Sequence, residues 1–170
     1  MASLQAIDPT VFDLAIDRAV QAVFRTMIGK PARTMPADLD PAEPTVVLGE
    51  INAAGTVGVV GDLNGLIYLY FPLPFAEHCA VRLLGSNPKH NQAGARELVD
   101  SVVGELTNMT AGAFKNQLAE IGFPCRLTLP SVLRGDTFTL NPPKSATRRL
   151  SRFDLGGHML RADIILEGGV

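Results

Sequence analysis

The sequence predicts an α+β domain in which an antiparallel sheet carries two long helices packed on one face. Three observations lead there. Residues 8–28 and 93–121 carry apolar side chains at the spacing of long amphipathic helices. Short runs rich in Val, Ile, Leu and Tyr, divided by glycine-bearing turns, have the character of meandering strands. The 170 residues contain no long linker, so the chain reads as a single domain, 1–170, with its core over about residues 8–168.

The first helix is well punctuated. Asp8 is a good N-cap, Pro9 suits the first helical position, and Gly29 follows the last turn. Between them Val11, Leu14, Ala15, Ala19, Ala22, Val23, Phe24 and Met27 make a broad apolar stripe. Residues 31–44, with four prolines, read as a connector. Residues 45–52, 55–61 and 65–71 are expected as three strands, with turns at 53–55 and 62–65. A short helix should start at Pro72-Leu73-Pro74, run through Leu84, and stop at Gly85 and Pro88. The long helix follows and ends before Gly122 and Pro124. Residues 125–129 and 131–134 read as strand, and residues 136–147, with Asn141-Pro142-Pro143, as a protruding loop. Residues 148–154 and 159–167 close the chain as a hairpin around Gly156-Gly157. Because exposed edges invite pairing, these last strands are expected to pair with another chain or to close the sheet.

Composition excludes several classes. The formal charge is −2 and no basic cluster exceeds Arg148-Arg149, so there is no footprint for nucleic acid or an acidic membrane. Two cysteines, Cys79 and Cys125, stand at no metal-like spacing and read as small core residues of a protein in a reducing cytoplasm. No signal peptide is recognisable, and no apolar run reaches the length of a membrane span. His78, His90 and His158 fall on separate elements, so only the fold can assemble a metal site from them; no metal is expected. There is no nucleophile elbow and no Walker loop, and the glycines at 55, 58 and 61 lack phosphate-loop spacing.

The long helix is the exception. Ser101, Glu105, Asn108 and Gly112 are spaced i, i+4, i+7 and i+11. At roughly 100° per residue they fall within an arc of about 60°. Val99, Val103, Leu106, Thr110, Ala113 and Ile121 cluster opposite, with Val102 and Met109 on the flank. The bland reading is an ordinary solvated face. A mid-helix glycine costs about 1 kcal/mol against alanine, however, and Asn and Ser are mediocre helix formers, so the row invites a reason. Gly112 removes a side chain where a partner could approach closely.

These residues carry a resemblance. The pattern (Ser/Asp)-x3-Glu-x2-Asn, with glycine four residues on, resembles the signature of the CheC/CheX/FliY family of chemotaxis phosphatases. Residues 100–112 with Lys115 are similar to the central helix of CheX-type members. Residues 129–135 resemble the Pro-Ser-Val-x-x-Gly stretch that follows it, and residues 65–71 and 83–85 resemble the preceding strand and helix end. Some relatives carry the signature twice. Here Met27-Ile28-Gly29 echoes the end of the long-helix motif, and matching Gly29 to Gly112 puts Arg18, Ala22 and Arg25 where Ser101, Glu105 and Asn108 stand. The chain therefore looks like the single-site, CheX-like type.

The resemblance implies a CheC-like fold and hydrolysis of the aspartyl phosphate on a CheY-like response-regulator receiver. Asn108 is implied to orient the attacking water, Glu105 to pair with a receiver lysine, and Ser101 and Gly112 to support docking. No cofactor of its own is implied, since Mg2+ would come on the phosphorylated receiver. A homodimer joined along a sheet edge is implied as well. The other reading is a non-catalytic receiver-binding or adaptor module of the same fold.

Overall fold

The computed structural model describes residues 7–85 and 93–168. The elements run α1 (Thr10–Met27), β1 (Arg33–Met35), β2 (Thr45–Gly61), β3 (Leu63–Pro72), α2 (Leu73–Leu84), α3 (Ala95–Glu120), β4 (Cys125–Leu127), β5 (Ser131–Thr139), β6 (Thr147–Leu155) and β7 (His158–Gly168). Among the described residues the seven strands form one sheet, ordered β1-β6-β7-β3-β2-β4, with β5 also paired to β2. Every pairing is antiparallel. The helices share one face of it. Phe12, Ile16 and Phe24 of α1, Phe75 and Cys79 of α2, and Val103, Leu106 and Phe114 of α3 join sheet residues Val57, Ile67, Leu69, Phe71, Phe153 and Ile164 in one core. Both cysteines behave as packing residues, and burial pushes the Cys79 thiol up to about 12. The expected architecture holds, with α2 as a third member of the helical layer.

Several local expectations are corrected. Residues 45–61 are one strand rather than two. The irregularity lies between Val47 and Asn52, where Gly49 takes φ 76°, not at 53–55. Gly55 is inside the ladder because α3 crosses there: a Cβ on it would lie 2.0 Å from Thr107 Oγ1. The buried stripe of α1 is Phe12, Ala15, Ile16, Ala19, Val20, Val23 and Phe24, whereas Leu14 is 51 % exposed and Ala22 is also exposed. This helix is apolar around much of its circumference, so spacing alone placed the stripe too far round. In α3 Ile121 lies past the helix end and is exposed. The stop expected at Pro88, and His90, lie outside the described residues.

The far face of the sheet holds the other corrections. The connector contributes β1, which pairs with β6. Residues 136–139 continue β5 instead of starting a loop, because Phe138 packs on Tyr70 with ring centroids 5.5 Å apart. Leu39, Leu140 and Ala146 pack beside Val46, Tyr68, Tyr70 and Ile165 in a second, smaller cluster. The proline loop therefore lies against the sheet rather than protruding from it. Ionic contacts fasten the same face. Arg148 makes two hydrogen bonds to the buried Asp163 carboxylate, at 2.9 and 2.7 Å, and a third to Glu43 O at 2.7 Å. Tyr70 donates its hydroxyl to Asp163 at 3.1 Å, so the buried charge is fully partnered. Asp38 of the connector holds Arg161 at 2.7 Å and Arg152 at 3.1 Å. The β6–β7 hairpin is interior to the sheet, between β1 and β3, so the last strands pair within the chain and neither pair with another chain nor close the sheet.

Candidate functional site on helix α3

Helix α3 has a divided surface. Val99, Val102, Val103, Leu106, Thr107, Thr110, Ala111, Phe114 and Leu118 are buried against α1, α2 and β2. The two buried hydroxyls are satisfied on the helix itself, Thr107 donating to Val103 O at 2.7 Å and Thr110 to Leu106 O at 2.8 Å. Gln117 donates to Ala15 O at 3.0 Å and ties the helix to α1. With that side committed to the core, Ser101 and Glu105 are exposed, and Asn108 and Gly112 are half-buried. All four predicted site residues thus lie on one accessible row. At ~1.5 Å rise per residue the stretch from Ser101 to Asn108 is about 10 Å long.

Gly112 is informative. A Cβ there would meet nothing within 4 Å, so no contact among the described residues requires glycine. Gly55 and Gly65, by contrast, are forced by the fold: a Cβ on Gly65 would lie 1.9 Å from Ile165 O. A helix-weakening residue in open space is consistent with a need for close approach from outside.

The structure adds neighbours that sequence reasoning missed. Arg134 of β5 donates from Nε to Asp100 Oδ1 at 2.9 Å, with a further contact to that oxygen at 2.7 Å, and so braces α3 beside Ser101. Its other contact, to Arg96 O, is 3.5 Å long. The pair joins segments 34 residues apart, and nothing local in the sequence marks it. Leu98 is 47 % exposed and precedes Ser101 by three residues, which puts an apolar side chain on the same face. That signal was readable, since leucine interrupts a polar row. Leu129, in the segment before β5, is 89 % exposed.

The row is a convex helix surface. One cavity of about 250 Å3 lies on the far side of the sheet, against Tyr68, Ile165 and the proline loop. A second, of about 220 Å3, lies against Ile28, Lys30, His78 and Arg82. Neither is lined by Ser101, Glu105 or Asn108. Among the described residues no group of three His, Cys, Asp or Glu side chains is arranged to hold a metal, and no helix is long and apolar enough to cross a membrane. What the row offers is one carboxylate, one amide and one hydroxyl on a rigid scaffold, a geometry suited to another protein's surface.

Comparison with known proteins agrees with this fold. The solved CheX from Desulfovibrio desulfuricans is similar in fold, with a TM-score of 0.77 at 22 % identity, covering 92 % of this chain and 99 % of that one. CheX from Vibrio vulnificus gives 0.74 at 23 % identity, covering 92 % and 96 %. The CheX–CheY–BeF3–Mg2+ complex from Borrelia burgdorferi gives 0.66 at 18 % identity, covering 92 % and 97 %. No curated protein matches the chain. The family model described as chemotaxis phosphatase CheX matches residues 53–154, more than half of the chain and the whole of the α3 row. The chain belongs to the CheX family of chemotaxis proteins.

Proposed function

We propose that this protein hydrolyses the aspartyl phosphate of a CheY-like receiver, with Asn108 and Glu105 as the groups it inserts into the partner's site. The observation that carries this reading is the single accessible row Ser101, Glu105, Asn108 and Gly112 on a helix braced by the core, in a chain of the CheX family. The structure of a CheX–CheY–BeF3–Mg2+ complex from a relative supports the choice of partner.

An acyl phosphate needs little covalent help. Water attacks phosphorus in line with the bond to the aspartyl oxygen, that bond breaks, and the aspartate leaves as a carboxylate. One proton of the water passes to the phosphate or to solvent. Asn108 has no basic group and cannot take it. Its amide oxygen accepts a hydrogen bond from the water while its NH2 donates to a phosphoryl oxygen, which fixes the water's direction of approach. Glu105, one turn earlier, pairs with a lysine of the receiver and sets the register of docking. Ser101 and the open space at Gly112 complete the contact, with Leu98 as an apolar neighbour. Mg2+ held by the receiver would neutralise phosphoryl charge.

We propose in addition a homodimer joined along a sheet edge, and a cytoplasmic setting, where such receivers act. Within the described residues the side of β5 away from β2 is unpaired, and β1 pairs only with β6. A dimer mass by light scattering supports this assembly, and a monomer at high concentration contradicts it. For the activity, the test is phosphate release from a panel of phosphorylated receivers with Mg2+. Release from at least one receiver, faster than its own rate, is expected. If all bind and none is accelerated, the protein is a docking module.

A further inference from the structure

Far from the α3 row in sequence, the fold collects four basic side chains. His78 and Arg82 come from α2, Lys30 from the segment after α1, and His158 from the start of β7. The rings of His78 and His158 have centroids 4.8 Å apart, and Phe75 stacks on His158 at 5.0 Å. Arg82 donates from Nε to Ile28 O at 3.2 Å, which fixes its guanidinium at the end of α1 and covers a carbonyl that would repel an anion. A Cβ on Gly29 would lie 3.0 Å from the Arg82 guanidinium, and one on Gly156 would lie 3.2 Å from Lys30 Nζ. Two glycines thus leave room for two cations.

Ile28, Gly29, Lys30, His78 and Arg82 line the cavity of about 220 Å3, and no carboxylate is among them. Asp154 feels the charge of His158 but is already engaged, by Arg33 at 3.1 Å and by the Gly157 N–H at 2.8 Å. Glu77, beside His78 in the chain, is not among the residues that line the cavity. Meanwhile His78 Nε2 is buried with no hydrogen-bond partner among the described residues. Burial holds this imidazole below the usual histidine range, and the charges of His158, Lys30 and Arg82 push the same way.

Two cations and an imidazole gathered round a recess, with a buried ring nitrogen that has no partner among the described residues, are costly unless something negative enters. We infer that this pocket binds a small oxyanion of the phosphate class. Its volume falls below the ~300–1,000 Å3 typical of sites for drug-sized ligands, which favours a phosphate or small phosphomonoester over a nucleotide. The site shares no residue with the α3 row, so it stands or falls independently of the phosphatase reading.

The experiment uses the full chain alone, without receiver, and follows histidine side-chain NMR signals. Sulfate is the constant-charge probe, titrated against chloride at matched ionic strength; inorganic phosphate and glycerol 3-phosphate follow. Saturable shifts of His78 and His158 with sulfate are expected. Lys30→Gln should weaken sulfate at least fivefold with an unchanged melting temperature, and Lys144→Gln on the exposed proline loop should bind as the parent does. Between the two phosphates, the tighter binder identifies the source. Shifts that do not saturate, or that survive Lys30→Gln unweakened, overturn the proposal.

Discussion

Helices α1 and α3 share one layer and pack on one another, yet they present different chemistry at matched positions. Setting Gly29 against Gly112 aligns Arg18, Ala22 and Arg25 with Ser101, Glu105 and Asn108. Arg18, Ala22 and Arg25 are all exposed, like Ser101 and Glu105. Accessibility therefore follows from how a helix lies on the sheet and does not by itself distinguish a site. The distinction lies in side-chain type, an acid and an amide against two guanidinium groups and a methyl. The glycines differ too. Gly29 sits beyond the helix end at φ 72°, where an L side chain is strained, whereas Gly112 is mid-helix in open space. One glycine serves the fold and the other meets no neighbour among the described residues.

The strongest way to disturb this comparison is to lift α3 off the sheet. Gly55→Ala puts a methyl where Thr107 Oγ1 now lies, 2.0 Å from the Cβ position. A loss of about 1–3 kcal/mol is expected from overpacking, read by denaturant titration, with weaker receiver binding as the row shifts. An unchanged midpoint would mean that the close approach at Gly55 does not set the seat of α3.

The glycine pair sharpens it further, with effects of opposite sign. Gly29→Ala should destabilise by about 1–2 kcal/mol, the cost of a left-handed backbone for a residue with a Cβ. Gly112→Ala should stabilise by up to ~1 kcal/mol, the difference in helix propensity, while weakening receiver affinity. Thermal melts and receiver titrations on the same samples separate the two quantities. If Gly112→Ala binds receiver as the parent does, no partner comes close at that position.

The smallest effect belongs to the α1 row. Replacing Arg18 and Arg25 together by alanine should change stability by no more than about 0.5 kcal/mol. Phosphate release should stay at the parent rate. A marked loss of hydrolysis would show that α1, too, touches the receiver.

Much of this was legible in the chain. The punctuation around residues 8–29 and the i, i+4, i+7, i+11 row of α3 rest on local chemistry, and the helices and the exposed row follow it. The turn assigned at residues 53–55 failed because a glycine in a strand signals close backbone approach as readily as a turn. Only the tertiary fold shows that Thr107 is the neighbour. The loop at residues 136–147 was misread at its start because Phe138 finds Tyr70 across the sheet. Arg134–Asp100 and His78–His158 join residues distant in sequence, and no periodicity reports such meetings.

The central claim is that α3 supplies chemistry and not merely a surface. Asn108→Ala compared with Glu105→Ala tests it most directly, by receiver titration and single-turnover phosphate release on the same phosphorylated receiver. The account predicts that Asn108→Ala keeps most of its receiver affinity and loses hydrolysis by roughly a hundredfold or more, the scale of a positioned group acting only in the reactive complex. Glu105→Ala should lose affinity and rate together, since an interfacial charge pair sets both. Hydrolysis by Asn108→Ala at the parent rate would contradict the account and leave α3 a docking face alone.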